Sequence, residues 1–529
     1  MSILSDRPWF KFWPEGLPRR IDYPEIPLFE FLSGSAGKYV DKIAFSYEGN
    51  SLTYRELDTL SSKLANGLGD LGIAKGDRVL LLIPNNLKFV VAYYGILKAG
   101  ATVVPTNPLY KGSELKHQIS DSGAKAIITS NDNYLTVKEI KHETSLETVI
   151  LTEAGGMTGT LSLDKILAEF SPIPPEFALN PREDIAAIEY TGGTTGLPKG
   201  VMLTHYNLVA NAIQNATWFN WTRQEVVIGL IPFYHSWGSC TCLNSPIYTG
   251  ARVIILPRFN VEELLSTIER ERATVLYGAV SMFITLTTSP LISKYDLSSL
   301  RYVKAGAMPI PPEIKGRWEQ ITGVKMILGY GLSEASPETH NSPPQRVKIG
   351  TIGIPVFDTD ARIVDQETGE VELPPEEVGE LVIRGPQVMR GYYNRTEDNK
   401  EALRDGWLYT GDLAFMDKEG YFHITDRKKE TIKYKGYTIA PAEVEAVLYE
   451  HPAVRECAVV GKADPLCGEI PKAYVVLRDG CSLDGEELII FCQQKVSPYK
   501  RIREVEFIDE IPKTQVGKVL RRILRERDC

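Results

Sequence analysis

From Ser51 onward the chain alternates between helix-like and strand-like segments, and this alternation limits the fold more than any other feature. TYRELDTLSSKLANGLGDLGI repeats its apolar residues at helical spacing and opens with Thr53 three residues before Glu56, a capping-box arrangement. DRVLLLIP follows as a short apolar strand, and KFVVAYYGILKAG as a helix ending at Gly100. ATVVP, AKAIITS and ETVILTE are further strands. Continuous apolar strands between helices predict parallel sheet covered on both faces, an α/β architecture.

The texture changes twice. Near Gly350, TDARIVDQETGEVELPPEEVGELVIRGPQVMRGYY alternates with period two and carries frequent turn residues, which predicts a small antiparallel or barrel-like subdomain. From Asp426 the pattern runs helix (APAEVEAVLYEH), strand (VRECAVVGKAD), strand (PKAYVVLRD), helix (GEELIIFCQQKV), strand (IREVEFID) and a basic terminal helix. We therefore expect a large composite N-terminal domain over 1–425, with two parallel-sheet subdomains plus the barrel-like one. A small α+β domain follows over 426–529. No internal repeat is present.

Composition narrows the class. The chain has 59 basic against 68 acidic residues, net −9, with 43% hydrophobic and 24% charged residues. That excludes disorder, collagen and a general polyanion binder, and argues against nucleic acid as a partner. Local charge differs: Arg427–Lys435 holds five basic residues against one acid, enough to meet a small anionic ligand despite the acidic mean. Of seven cysteines only Cys240 and Cys242 lie close, one residue apart, which points to a reduced intracellular protein without a structural metal. MSILSDRPWFKFWPEG has no apolar core of a signal peptide. Pro84, Asn85, Asn86 and Lys88 interrupt the apolar stretch Val79–Pro105, so no membrane span is expected and the cytoplasm is the expected location. Peripheral membrane contact and a homodimer stay open.

The loudest local signal is Thr191–Lys199, with three glycines, three threonines and a lysine in nine residues. Glycines let backbone N–H groups approach a phosphate, threonine hydroxyls add donors, and Lys199 adds charge. The preceding DIAAIEY reads as a strand, placing the loop at a strand end, where α/β proteins bind ligands. Lys199 follows Pro198 and precedes Gly200, so the segment is neither a Walker A loop nor GxGxxG. An ordinary P-loop ATPase and a dinucleotide dehydrogenase are both disfavoured.

TGGTTGLPKG resembles the phosphate-loop signature of the adenylate-forming superfamily, with Gly192 where the family usually has Ser. Further motifs follow in that family's order: IPFYHSWG, LGYGLSEASP, GELVIRG, YTGDLAF, TDRKKETIKYKGYTIAPAEVE and PKTQVGKVLRR. The resemblance implies ATP and Mg²⁺ as cofactors, coenzyme A as thiol acceptor, and a small carboxylic acid as substrate. It implies nucleotide contacts from Thr191, Gly192, Gly193, Thr194, Thr195, Gly196 and Lys199. On the adenine side it points to Gly306 and Ala307, and to Gly329, Tyr330 and Gly331, while Ser333 would donate to the α-phosphate. Glu334 would hold Mg²⁺, a hard-cation task suited to carboxylate. Asp412 would accept from both ribose hydroxyls, with Arg427 in support. Lys518 would carry the positive charge of the adenylation step, as a flexible point charge able to reach carboxylate and α-phosphate. Lys429 would be the hinge of a rotation that removes Lys518 and brings in Lys433, Lys435 and Gly436 for thioester formation.

His235 would sit beside the acyl tunnel, positioning the carboxylate or gating the thiol rather than serving as a general base. Trp237, Tyr277, Val280, Met308 and Gly331 would line the tunnel, with Tyr234, Gly278, Met282, Phe283 and Leu328 around it and no charged anchor. Acetyl-CoA synthetases close the pocket with Trp at the position of Gly331, so glycine implies depth for a longer acid. The expectation is a medium- or long-chain fatty acyl-CoA synthetase, an acid–thiol ligase forming AMP. The alternatives are an aryl-acid CoA ligase, a carrier-protein acyl-AMP ligase, a luciferase-like oxygenase or a non-catalytic nucleotide sensor. The aromatic opening RPWFKFWPEGLP resembles that of fatty-acyl ligases, or is a structural arm packed on the N-terminal domain.

Overall fold

A computed structural model describes residues 7–153, 157–191, 198–306, 310–428, 430–435, 437–465, 467–514 and 517–527. Two large sheets carry the N-terminal part. In the first, the strands run in the order Gly391–Tyr392, Lys199–Thr204, Ile185–Thr191, Thr102–Pro105, Arg78–Leu82, Ala126–Thr129, Thr148–Leu151 and Leu161–Ser162. The run from Ile185–Thr191 to Leu161–Ser162 is parallel, as the apolar runs predict, while Lys199–Thr204 pairs antiparallel with Ile185–Thr191; Val79 and Leu81 pack into one apolar cluster, and Leu80 and Leu82 into another on the opposite face. Each such fully buried side chain contributes about 1.5–3 kcal/mol. Tyr54–Asp70 forms the expected helix: Thr53 Oγ1 accepts from Glu56 N at 3.2 Å, and Glu56 Oε2 accepts from Thr53 N at 2.8 Å.

The second sheet orders Ile354–Pro355, Glu338–Asn341, Met326–Gly331, Tyr302–Gly306, Val275–Ala279, Val226–Gly229, Arg252–Ile255, Ile43–Tyr47 and Asn50–Thr53. Val275, Tyr302 and Met326 begin three adjacent parallel strands; the first two end level at Ala279 and Gly306, and the third runs two residues further to Gly331. One face holds Leu276, Val303 and Met326; the other holds Tyr277, Tyr302 and Ile327 and packs towards the first sheet's core.

The region after Gly350 is a five-stranded antiparallel sheet of Asp360–Val364, Gly379–Arg384, Trp407–Met416, Leu403–Arg404 and Phe422–Arg427. The aromatic opening is latched to it. Trp9 is buried against Phe422, with ring centroids 5.8 Å apart, and Trp13 meets Trp218 and Phe357 edge-on at 5.2 and 5.3 Å. A Cβ on Gly420, whose φ is +89°, would lie 2.5 Å from the Trp9 nitrogen, so glycine is required there.

That sheet ends at Arg427 and the next begins at Ile432, with Val454–Asp464 and Gly468–Leu477 as its long antiparallel pair. The helices Pro441–Tyr449, Gly485–Gln493 and Arg521–Glu526 stand where the sequence pattern puts them. The hairpin Ile432–Tyr434 and Tyr437–Ile439 is additional. Among the described residues no helix is long and apolar enough to cross a membrane, and the six described cysteines form no disulfide.

Candidate active site

The site forms where the second sheet's strands end and the small domain's Thr514–Val519 turn comes down on them. Thr514 N donates to Lys518 O at 2.8 Å and Gly517 N to Thr514 O at 2.8 Å, closing a tight turn with Gly517 at φ +85°. A Cβ on Gly517 would lie 3.5 Å from Ala279 Cβ and 3.7 Å from Ser281 Oγ, so the turn rests on the end of the Val275–Ala279 strand. Lys518 is thereby brought among Arg427, Glu430, Asp412 and Glu334. Burial first, and the Arg427 charge second, hold its ammonium below the ordinary lysine range, while the three carboxylates oppose that. Among the described residues the ammonium forms no ion pair.

Asp412 Oδ1 accepts from Arg427 Nε at 2.8 Å, and its Oδ2 accepts from the Tyr330 hydroxyl. A carboxylate has about four acceptor positions, so two stay open for further donors. The Asp412 charge holds the Arg427 guanidinium above its usual range. Glu334 Oε1 accepts from the Tyr392 hydroxyl at 2.8 Å, while its second oxygen accepts from none of the described residues. One accessible carboxylate fits Mg²⁺, which takes one or two protein carboxylates and completes its shell with water and phosphate. No cluster of three metal-ligating side chains occurs among the described residues. Ser333 Oγ lies 3.0 Å from Ser236 Oγ.

His235 Nδ1 accepts from Trp237 N at 3.1 Å, which leaves Nε2 to carry the proton. Burial, and then Lys518, lower its pKa to about 4. His205 is lowered to about 4, chiefly by burial, and His340 to about 3 by burial. The stabilisation from keeping these three neutral is present above the ordinary value of 6.5 and is lost as pH falls towards 4. Imidazole NMR signals of all three are expected not to move between about pH 8 and about pH 6; a midpoint for His235 in that range would contradict its burial against Lys518.

Several expected contacts take a different form. Lys199 is in an ion pair with Asp398, with its ammonium 5.2 Å from the Tyr392 ring centre. Gly331 does not open depth by itself: a Cβ there would lie 2.4 Å from the Pro337 carbonyl oxygen, so the glycine admits neighbouring backbone. Val280, Met282 and Phe283 pack with Leu276 and Trp318 in a different cluster from Tyr277 and Trp237. Trp237 covers Gly306, whose Cβ would come 3.1 Å from the indole, and stands edge-on to Tyr277 at 6.2 Å. Thr191 ends its strand as expected. Gly192, Gly193, Thr194, Thr195, Gly196, Ala307, Met308, Lys429 and Gly436 lie outside the described residues, as does the Lys433 side chain. Lys435 is exposed at φ +48°, its ammonium 5.6 Å from the Tyr434 ring centre.

Sequence reading missed four residues. Tyr392 stands between Lys199 and Glu334, and Ser236 reaches Ser333. Lys304 and Glu338 form a buried ion pair, 4% and 3% exposed, on the face that carries Tyr277 and Gly306. Asn341 Nδ2 donates to Glu338 Oε2 at 3.0 Å, and the Lys304 ammonium lies 5.9 Å from the Tyr277 ring centre. A buried ion pair, which the sequence reading did not include, therefore adjoins Tyr277. A 34-residue separation hides this pair until the strands are side by side.

Parallel strands ending at Ala279, Gly306 and Gly331, a carboxylate and an arginine-held aspartate near those ends, and a lysine delivered by a separate small domain define a nucleotide-handling, two-sheet α/β enzyme. The chain belongs to the AMP-binding enzyme family, which matches residues 32–393, and the AMP-binding enzyme C-terminal domain matches 443–518. It is 40% identical to a long-chain-fatty-acid–CoA ligase of Bacillus subtilis, covering 99% of both chains. It is 35% identical to 4-coumarate–CoA ligase 1 of Petroselinum crispum, over 95% of this chain and 94% of that protein. The crystal structure of ATP-bound MatB from Rhodopseudomonas palustris superposes with a TM-score of 0.88 at 29% identity, over 95% of this chain and 99% of that one.

Proposed function

We propose that the chain is an ATP-dependent acyl-CoA synthetase acting on medium- or long-chain fatty acids. It first joins acid and ATP into an acyl-adenylate with release of pyrophosphate, then transfers the acyl group to the thiol of CoA with release of AMP. The observation that carries this reading is Lys518, an ammonium without an ion-pair partner among the described residues, set beside Glu334, Asp412 and Arg427 by a turn of the small domain. The long-chain ligase of Bacillus subtilis, 40% identical, supports the acid class.

The roles follow from charge. Acid and α-phosphate are both anions, so their approach needs cations and oriented donors. Lys518 offsets that repulsion; Glu334 would hold Mg²⁺, which supplies neutralisation of the phosphate oxygens. Ser333 donates to the α-phosphate, while Tyr330 packs against adenine beside Gly306. Asp412 takes the ribose hydroxyls while Arg427 holds its carboxylate in place. Lys199 leaves Asp398 for phosphate, and neutral His235 donates from Nε2 to the acid carboxylate. Trp237 and Tyr277 wall the acyl group. For the second step the small domain, 426–529, rotates about Lys429, withdrawing Lys518 and presenting Lys433, Lys435 and Gly436; the basic run Arg427–Lys435 suits the CoA phosphates. The reaction is placed in the cytoplasm.

An aryl acid is the second reading. The Lys304–Glu338 pair beside Tyr277 favours it, since an apolar chain gains nothing against buried charges. Purified protein given ATP, Mg²⁺ and acids from acetate to stearate, together with cinnamates, with and without CoA, tests both. Pyrophosphate release and CoA consumption are expected to peak with medium or long chains. A cinnamate optimum moves the reading to the aryl class, and no release with any acid refutes adenylate formation.

A further inference from the structure

One helix, Gly112–Ser122, has no part in the roles assigned above, yet it holds both strands that flank the glycine- and threonine-rich segment. The entering strand Ile185–Thr191 and the leaving strand Lys199–Thr204 pair antiparallel, with Tyr190 opposite Gly200 and Thr191 opposite Lys199. On the helix, His117 and Asp121 stand four residues apart and share a face. Asp121 Oδ2 accepts from the Tyr190 hydroxyl at 2.8 Å, which fixes the entering strand. His117 Nε2 lies 2.9 Å from the Pro198 carbonyl oxygen, which fixes the approach to the leaving one. A carbonyl oxygen only accepts, so Nε2 carries the hydrogen of that bond. The His117 and Tyr190 rings meet edge-on at 6.2 Å between the two bonds.

A second route runs from the same carboxylate to Lys199. Asp121 Oδ1 accepts from the Arg395 guanidinium at 2.6 Å, and its side chain is 10% exposed. Arg395 directly precedes the short helix Thr396–Ala402, which carries Asp398, the ion-pair partner of Lys199. Tyr393 N donates to Gly200 O at 2.8 Å and seats that segment beside the leaving strand. The packing admits only glycine at 200: a Cβ there would lie 2.7 Å from Ile188 Cγ2 and 3.2 Å from the Tyr190 ring. Asp121 therefore grips the entering strand with one oxygen and, with the other, the segment that faces Lys199. Charge assistance makes the Arg395 bond the stronger of the two.

We propose that His117 and Asp121 are positioning residues for the phosphates of ATP, setting the spacing of Thr191 and Lys199 and so presenting the lysine ammonium to the polyphosphate. This inference rests on the acyl-adenylate reading above and divides nucleotide binding into two parts. Adenosine is left to Tyr330 and Asp412 on one side of the cleft. The polyphosphate is left to a segment whose grip depends on a helix outside the site. Fixing that segment before ATP arrives removes part of the ordering penalty of binding. ATP and pyrophosphate should feel the helix, whereas AMP, held through adenosine, should feel it little.

The test uses the full chain with Asp121→Ala, Tyr190→Phe, His117→Ala and His117→Gln, the last of which keeps an N–H donor for Pro198. Dissociation constants for ATP, pyrophosphate and AMP are measured by calorimetry, beside KM and kcat for acid-dependent pyrophosphate release. D121A, Y190F and H117A are expected to weaken ATP and pyrophosphate about tenfold, with AMP changed by less than about twofold. The KM for ATP should rise with the dissociation constant while the KM for the acid holds, and H117Q should recover most of the H117A loss. Equal weakening of ATP and AMP, in Y190F as in D121A, would mark a general packing defect and overturn the proposal. ATP and pyrophosphate bound by all four variants as tightly as by wild type overturns it too. If the wild type releases no pyrophosphate with any acid, the acyl-adenylate reading fails, and the difference between ATP and AMP binding still decides the role of the helix.

Discussion

Lys518→Ala is expected to lower acid-dependent pyrophosphate release by about two to three orders of magnitude, the cost of losing one preorganised charge from a developing anionic centre. The expectation stems from how the residue is held. The turn that carries it is closed by Thr514, pivots on Gly517 and lies against Ala279 and Ser281, so the ammonium is placed by backbone contacts. Burial and Arg427 make the charge costly to keep there, and Glu430, Asp412 and Glu334 compensate without pairing it. Such an ammonium is ready for an incoming anion and needs little reorganisation when one arrives. Thioester formation from chemically prepared acyl-adenylate should change by no more than about threefold in the same variant if, as proposed, the rotation withdraws Lys518 for that step. Separate assays of the two half-reactions make the comparison. Equal losses in both would refute the two-orientation scheme and leave Lys518 a general structural cation.

The second large effect is on stability. Lys304→Met or Glu338→Leu alone is expected to cost about 3–5 kcal/mol, because each strands an unpaired charge between Tyr277 and Asn341. The double variant K304M/E338L should recover most of that, since a buried pair is commonly replaced by apolar side chains at little net cost. Urea unfolding followed by tryptophan fluorescence reads this region, as Trp221 and Trp237 both adjoin Tyr277. A double variant as unstable as the singles would show that the pair anchors the sheet beyond its own charges. Single variants within about 1 kcal/mol of wild type would show that water reaches the pair. The acid panel run on the folded double variant reports on selectivity: a gain for longer aliphatic acids is expected once the wall beside Tyr277 is apolar.

Local signals in the sequence were legible and distant pairings were not. Thr53 and Glu56 announce their helix because a capping box lies within four residues, and Leu80 and Leu81 announce a two-faced strand because both neighbours are apolar. The small domain's element order was legible for the same reason. Lys304 and Glu338 each resemble a surface charge in isolation; only the strand order, with Met326–Gly331 between them, makes them partners. Lys199 reads as a free phosphate lysine until Asp398, 199 residues away, comes beside it. Val280 follows Tyr277 closely in sequence but begins the next helix and packs in another apolar cluster, which spacing alone does not reveal.

The arm at the beginning of the chain has a mechanical consequence. Trp9 and Phe12 clasp Tyr421 and Phe422, the first residues of the path that leads out to Arg427 and the small domain. A ribbon gripped at its root and paired along its length cannot store torsion. In the proposed rotation, any swing of the small domain is then taken up in the few residues beyond Arg427, with the arm as its stationary mount.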